Sequence, residues 1–245
     1  MKLSESQRAA ESRARTTTRT RCLVVAAHPD DETLGCGATM SVLSQKMDVY
    51  VVVLGEGLTS RKRGKAGQRR VSLNALKSSC RAAVGILGGK RVDFFDFPDN
   101  CFDTVPLLDI IQRLEAVIEE IRPERIYTHH PGDLNIDHRI TFQAVLTATR
   151  PVPTCCVRDL YTFEIPSSTE WAFRQIHPEF KPNVFQNVAG TIEAKIKAMA
   201  QYESESRRFP HPRSPEALQT LARRWGSVAG LEYVEAFELV RTVRP

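Results

Sequence analysis

The chain has 245 residues, 42% of them hydrophobic and 26% charged, the composition of an ordinary soluble globule large enough to bury a real core. Its longest apolar runs, "CLVVAA" and "VYVVVLG", fall far short of the roughly 20 residues that cross a bilayer, which excludes a transmembrane helix. The net charge of +5 is modest, and its densest basic block, "SRKRGKAGQRR" at 60–70, has no interleaved aromatics and no accompanying nucleic-acid motif. That block reads as a solvated loop or a guide for anionic substrates, and no nucleic-acid partner is expected.

In chain order, residues 1–20 are rich in Arg, Ser and Thr, hold two glutamates and lack the apolar segment of a secretory signal, so they read as a mobile tail, with a transit peptide as the lesser alternative. A single domain is expected over 21–245, because no internal repeat and no long linker interrupts it. Short β-branched runs predict strands at 21–27, 48–55, 91–97, 125–130 and 159–165. Helical spacing predicts helices at 33–46, 69–87 and 105–121, most clearly through Leu107, Ile110, Ile111, Leu114, Val117, Ile118 and Ile121. Such alternation implies an α/β fold, a mainly parallel sheet covered by helices on both faces. A further helix is expected at 136–150. Beyond the turn "PVPTCC" and a segment with Trp171 come two helical stretches, 191–205 and 214–230, and a closing "EYVEAFELVR". The six cysteines form no C-x-x-C pair, so neither a zinc ribbon nor a disulfide framework is indicated and a reducing cytoplasm is the expected compartment.

Two polar segments interrupt this pattern. "VVAAHPDDETLGCGATM" places His28, Asp30, Asp31 and Glu32 just past the first strand, and "THHPGDLNIDHRI" places His129, His130, Asp133, Asn135, Asp137 and His138 just past the fourth. In an open α/β sheet these carboxyl ends of strands are where ligands bind. Two histidines and one carboxylate with open positions make a catalytic zinc arrangement that activates a water, and a further carboxylate nearby can take its proton. Helix capping accounts for Glu32 and for either aspartate alone, but not for His28 or for a second cluster at an equivalent place. An EF-hand reading of "DLNID" fails because the sixth position is His138 and the twelfth Ala144. A dinucleotide reading of "GCGATM" is weak: Met40 stands where the third glycine belongs, behind an acidic "DDE" that would repel pyrophosphate.

Together, "AAHPDDETLGCG" and "HHPGDLNIDHR" resemble the LmbE / PIG-L family of zinc-dependent de-N-acetylases, over nearly the whole domain from about Cys22 onward. The resemblance implies a Rossmann-like three-layer sandwich. It also implies metal ligation by His28, Asp31 and His138, a general base at Asp30, and a role for Asp137 in orienting a neighbouring polar group. One position departs: where better-known members carry a histidine three residues before the last ligand, this chain has Asn135, which can donate to an oxyanion but cannot serve as an imidazolium. His211, in "RRFPHPRS", and His130 are the histidines that would stand in, while His129 is assigned to the strand and His177 has no motif around it. His130, Asp133 and Arg61 are expected on the substrate side, Arg61 with Lys62, Arg63 and Lys65 near a phosphate at the rim.

The reaction so implied is hydrolysis of the acetamide of an N-acetylglucosamine-type sugar or its conjugate, releasing acetate. Zn2+ is the favoured cofactor, and a His/His/Asp site also admits Fe2+, Co2+ or Mn2+. Alternatives are an amidase acting on another sugar or thiol conjugate and a non-hydrolytic nucleotide-binding module. Some relatives of this fold assemble into trimers or hexamers, which leaves a homo-oligomer open.

Overall fold

The alternation of β1 (Arg21–Ala26) builds both halves of the core. Cys22, Val24 and Ala26 face one layer while Leu23 and Val25, with Ala27 just beyond, face the other, as the two-residue period of a strand requires. A computed structural model describes residues 19–57 and 72–244. The expectations for the tail up to residue 18 and for the basic block at 60–70, including Arg61, lie outside the described residues.

The remaining strands are β2 (Asp48–Gly55), β3 (Arg91–Phe97), β4 (Arg125–His129), β5 (Asp159–Phe163), β6 (Val184–Asn187) and β7 (Val234–Thr242). They form one seven-stranded sheet in the order β3-β2-β1-β4-β5-β7-β6. The pairs among β1 to β5 are parallel, and β7 is antiparallel to both β5 and β6. The helices are α1 (Asp31–Ser44), α2 (Leu73–Ile86), α3 (Leu107–Ile121), α4 (Ile136–Ala148), α5 (Ile192–Met199) and α6 (Pro215–Ala229). Residues of α1, α2, α5 and α6 pack on one face of the sheet, those of α3 and α4 on the other. The apolar stripe of α3 is buried from Ile110 to Ile121, each large side chain contributing about 1.5–3 kcal/mol of apolar burial. The expected α/β sandwich is therefore the observed one, and among the described residues no helix is long and apolar enough to cross a membrane.

Three local expectations differ. β6 is only four residues long, too short to announce itself by periodicity, and the closing segment becomes β7, inserted between β5 and β6. The helix expected at 191–205 stops at Met199, after which Tyr202 turns inward and its hydroxyl donates to Glu32 Oε1 at 2.6 Å. The helix expected at 33–46 starts two residues earlier and breaks at Cys36 (φ −147°, ψ 22°). A buried ion pair satisfies the backbone groups freed by that break: Lys195 Nζ donates to Leu34 O at 2.7 Å and to Glu235 Oε1 at 2.6 Å, while Glu235 accepts from Ala38 N and Thr39 N at 3.2 and 2.7 Å.

Beside the break, Gly35 lets α1 approach β5 closely; a Cβ there would lie 2.4 Å from the Phe163 ring, which is fully buried. Gly35→Ala is expected to destabilise the fold by about 1–3 kcal/mol through overpacking. An unchanged denaturant midpoint would show instead that the ring can give way.

The chain runs from β1 through β2 to β3 on one side and then returns to place β4 on the other side of β1. The carboxyl ends of β1 and β4 thus flank the switch point of the sheet, where a crevice forms.

Candidate active site

Both polar segments open into that crevice. After β1, Pro29 leads into Asp30, whose backbone is in the left-handed region (φ 111°), and Asp31 starts α1. After β4, Asn135 caps α4 by accepting from Asp137 N at 2.8 Å, which puts Asp137 and His138 in the first helical turn. The pocket between them is lined by His28, Asp30, Asp31, Asn135 and His138, together with Asp99 and Asn100 from the loop after β3 and a group from the C-terminal half.

Two imidazoles are held in the same manner. His28 Nε2 lies 3.0 Å from Asp137 Oδ2 and 3.2 Å from Asp99 Oδ1, so its Nδ1 is turned to Asp31 Oδ2, 3.4 Å away. His138 Nδ1 lies 3.1 Å from Asp133 Oδ1, and its Nε2 points to the same Asp31 oxygen at 3.3 Å. A carboxylate behind each ring and a free nitrogen in front is how metal-ligating histidines are fixed in tautomer and orientation. The backing carboxylates are themselves anchored: Asp137 accepts from Asn100 N at 2.6 Å and Phe102 N at 3.0 Å, and Asp133 from Ser168 Oγ, from Thr169 Oγ1 at 2.6 Å and from Asn135 N at 2.8 Å.

These residues fit a divalent metal. One ligand atom each of His28, Asp31 and His138 lies within 4.8 Å of the others, and His138 Nε2 is buried with no hydrogen-bond partner among the described residues. His28, Asp99 and Asp137 form a second such group, but both oxygens of Asp137 are already occupied by backbone N–H groups. The nitrogen-and-carboxylate set suits a first-row divalent cation. The local field favours positive charge as well: burial disfavours it, yet Asp137 and Asp31 raise His28 to about 10, and Asp31 and Asp133 raise His138 to about 9. Burial also opposes the charge of Asp31, but the His138 imidazolium, with hydrogen bonds from His138 and His28, outweighs it and holds that carboxyl well below the usual range.

His129, assigned from sequence to the strand, ends β4 and packs behind the site. Its Nε2 accepts from Ala27 N at 2.8 Å, which leaves the ring neutral with its proton on Nδ1, and it stacks on His138 at 4.0 Å. Burial, with His138 adding, keeps its pKa well below the ordinary histidine value.

Several sequence expectations do not reach the pocket. His130 is fully buried on the far side of its loop, 3.1 Å from Glu238 Oε2 and against Phe180. Asp133 is fully buried behind His138, its oxygens spent on the groups just named. His211 lies outside the lining, its Nδ1 accepting from Arg213 N at 3.1 Å and its ring against Trp171. Asn135 does line the pocket, although its carbonyl oxygen is used as the cap of α4.

What the sequence reading missed is Asp99, whose "FPDN" stands at the carboxyl end of β3 as the other clusters do, and a C-terminal group of Ser167, Ser168, Glu205 and Arg213. Arg213 Nη1 donates to Asp30 Oδ2 at 2.7 Å. Burial pushes the Asp30 carboxyl well above the usual range, Arg213 opposing and Asp31 and Glu205 adding.

A profile of the family described as "PIG-L: GlcNAc-PI de-N-acetylase" matches residues 23–149. The chain is 32% identical over 190 residues to the uncharacterized deacetylase YaiS of Escherichia coli, a match covering 74% of this chain and 90% of that protein. It is 26% identical over 234 residues to the diacetylchitobiose deacetylase of Thermococcus kodakarensis, covering 90% and 83% of the two chains. Among solved structures, the 4-carboxy-2-hydroxymuconate hydratase of Pseudomonas putida is similar with a TM-score of 0.73 at 21% identity, covering 92% of this chain and 98% of that one. At that identity the likeness is one of fold, and it shows the same scaffold carrying a different chemistry.

Proposed function

The chain belongs to the PIG-L family of de-N-acetylases, and from that premise we propose that it is a metal-dependent hydrolase that removes the acetyl group from an N-acetylglucosamine-type sugar, free or conjugated. The observation that carries this reading is the convergence of His28, Asp31 and His138 on one point, with Asp30 beside it in the same pocket. His28, Asp31 and His138 would hold the metal, Zn2+ first, with Fe2+, Co2+ and Mn2+ matching the same donors; when bound, it supplies Lewis acidity toward the acetyl carbonyl and the attacking water.

The chain's own residues do the rest. Asp30 takes a proton from the water as its oxygen bonds to the carbonyl carbon and the carbonyl electron pair moves onto oxygen. Asn135 lies in the lining, where its amide N–H groups can donate to that developing oxyanion. Besides the two ligand histidines, the described lining holds no imidazole, so the proton on Asp30 returns to the nitrogen as the C–N bond breaks. Water and amide thereby become acetate and the ammonium form of the amino sugar. Asp137 and Asp133 act by orienting His28 and His138.

The test is acetate release from a panel of N-acetylated sugars that includes N,N'-diacetylchitobiose, with chelator and metal add-back. Acetate that disappears with chelator and returns with metal is expected. Metal-loaded protein that releases none from any sugar or amide conjugate would overturn the reading.

A further inference from the structure

Arg213 is the sole Lys or Arg among the described residues lining the pocket, where it faces Asp30, Asp31, Asp99 and Glu205. It precedes Ser214, the cap of α6, and reaches back across the site, its guanidinium held through Nε and Nη1. Nε donates to Ser167 Oγ at 2.7 Å; Nη1 donates to Asp30 Oδ2 at 2.7 Å and lies 3.3 Å from Glu205 Oε2.

Two of these anchors stand on unusual backbone. Asp30 has φ 111° and Ser167 φ 71°, both in the region that side-chain-bearing residues avoid. Each is pinned there by a neighbouring glutamate: Asp30 N donates to Glu32 Oε2 at 3.1 Å, and Ser167 N and Ser168 N donate to Glu170 at 2.6 and 3.2 Å. Such conformations persist only where the surroundings over-determine them, and they concentrate at functional sites. Here both converge on a single guanidinium.

The consequence for Asp30 is geometric. Among the described residues only Oδ2 of its carboxylate is hydrogen-bonded, which leaves Oδ1 with its lone pairs available. A proton acceptor needs one oxygen held and the other free.

We propose that Arg213 is a positioning residue for the deacetylation: it locks Asp30 through Oδ2 so that Oδ1 meets the attacking water, and Ser167 locks Arg213 in turn. This inference rests on Asp30 as the proton acceptor.

The experiment compares wild type, Arg213→Ala, Arg213→Lys, Ser167→Ala, Asp30→Asn and the Asp30→Asn/Arg213→Ala double variant, with N,N'-diacetylchitobiose as first substrate. Metal content and melting temperature are measured on every sample. Arg213→Ala is expected to lower kcat by about a hundredfold, the scale of a misplaced catalytic group, with KM nearly unchanged and metal retained. Added guanidinium or methylguanidinium should restore part of that kcat. Lysine lacks the planar fork and should recover little. Ser167→Ala, which removes no charge, should show a smaller fall of the same kind and serves if Arg213→Ala fails to fold.

Because Arg213 acts through Asp30, the double variant should be no slower than Asp30→Asn alone. Unchanged kcat in both Arg213→Ala and Ser167→Ala, or a double variant whose losses multiply, would overturn the inference. A fully active Asp30→Asn would instead overturn the assignment of the base on which it rests.

Discussion

Asp30→Asn is expected to keep its metal and lose nearly all turnover. The substitution preserves shape and leaves His28, Asp31 and His138 in place, so metal ligation has no reason to fail. Proton abstraction does. Arg213 Nη1 is a donor at 2.7 Å from Oδ2, and an asparagine there will satisfy it by turning its carbonyl oxygen toward the guanidinium. The amide nitrogen then occupies the position of the free oxygen, where it can only donate. Loss of a general base typically removes 10²–10⁴ of the rate, so a fall of about that size in kcat with unchanged metal per chain is expected. Metal analysis beside steady-state kinetics checks it, and wild-type turnover would remove Asp30 from the chemistry.

His138→Ala is expected to fail earlier, at the metal. Removing an outer partner of a ligand typically weakens metal binding 10–100-fold, and removing the ligand itself should exceed that. Asp133→Asn offers the comparison, because Asp133 meets His138 at its outer nitrogen, away from the Nε2 that faces Asp31, and should fall within that range. The two variants separate ligand from support: His138→Ala purifies without metal and without activity, whereas Asp133→Asn regains both when metal is added in excess. Full metal occupancy in His138→Ala would exclude it as a ligand and turn attention to the second group, His28, Asp99 and Asp137.

The two histidine-aspartate segments are separated by about a hundred residues, yet the sequence locates both correctly because the signal is local. A β-branched run followed by polar residues and then helical spacing means the carboxyl end of a strand, and parallel strands bring such ends to one rim. His28, Asp31 and His138 could be named on that basis with the family resemblance. His130 and Asp133, expected on the substrate side of the same pocket, stand away from it, since adjacent residues of a loop differ only in which way they point. Asp133 turns inward because Ser168 and Thr169, from beyond β5, offer it hydroxyls, and His130 turns to Glu238 on β7.

Arg213 shows the same limit from the other side. In the segment "RRFPHPRS" the histidine is the conspicuous residue, but the one that enters the pocket is the arginine two positions on, 183 residues from its partner Asp30. Likewise, Gly35 and Gly37 mark a weak point in α1 at Cys36, but the groups that satisfy the break, Lys195 and Glu235, come from α5 and β7 and cannot be read locally.

By itself, then, the sequence determined the strand and helix order, the parallel core of the sheet and the rim where His28, Asp31 and His138 meet, because periodicity and strand-end chemistry are written within a few residues. Only the tertiary structure decided which polar side chains face the pocket and which stand behind it. That choice depends on hydrogen-bond partners supplied by distant segments, and a buried polar group turns toward whichever partner the fold brings near.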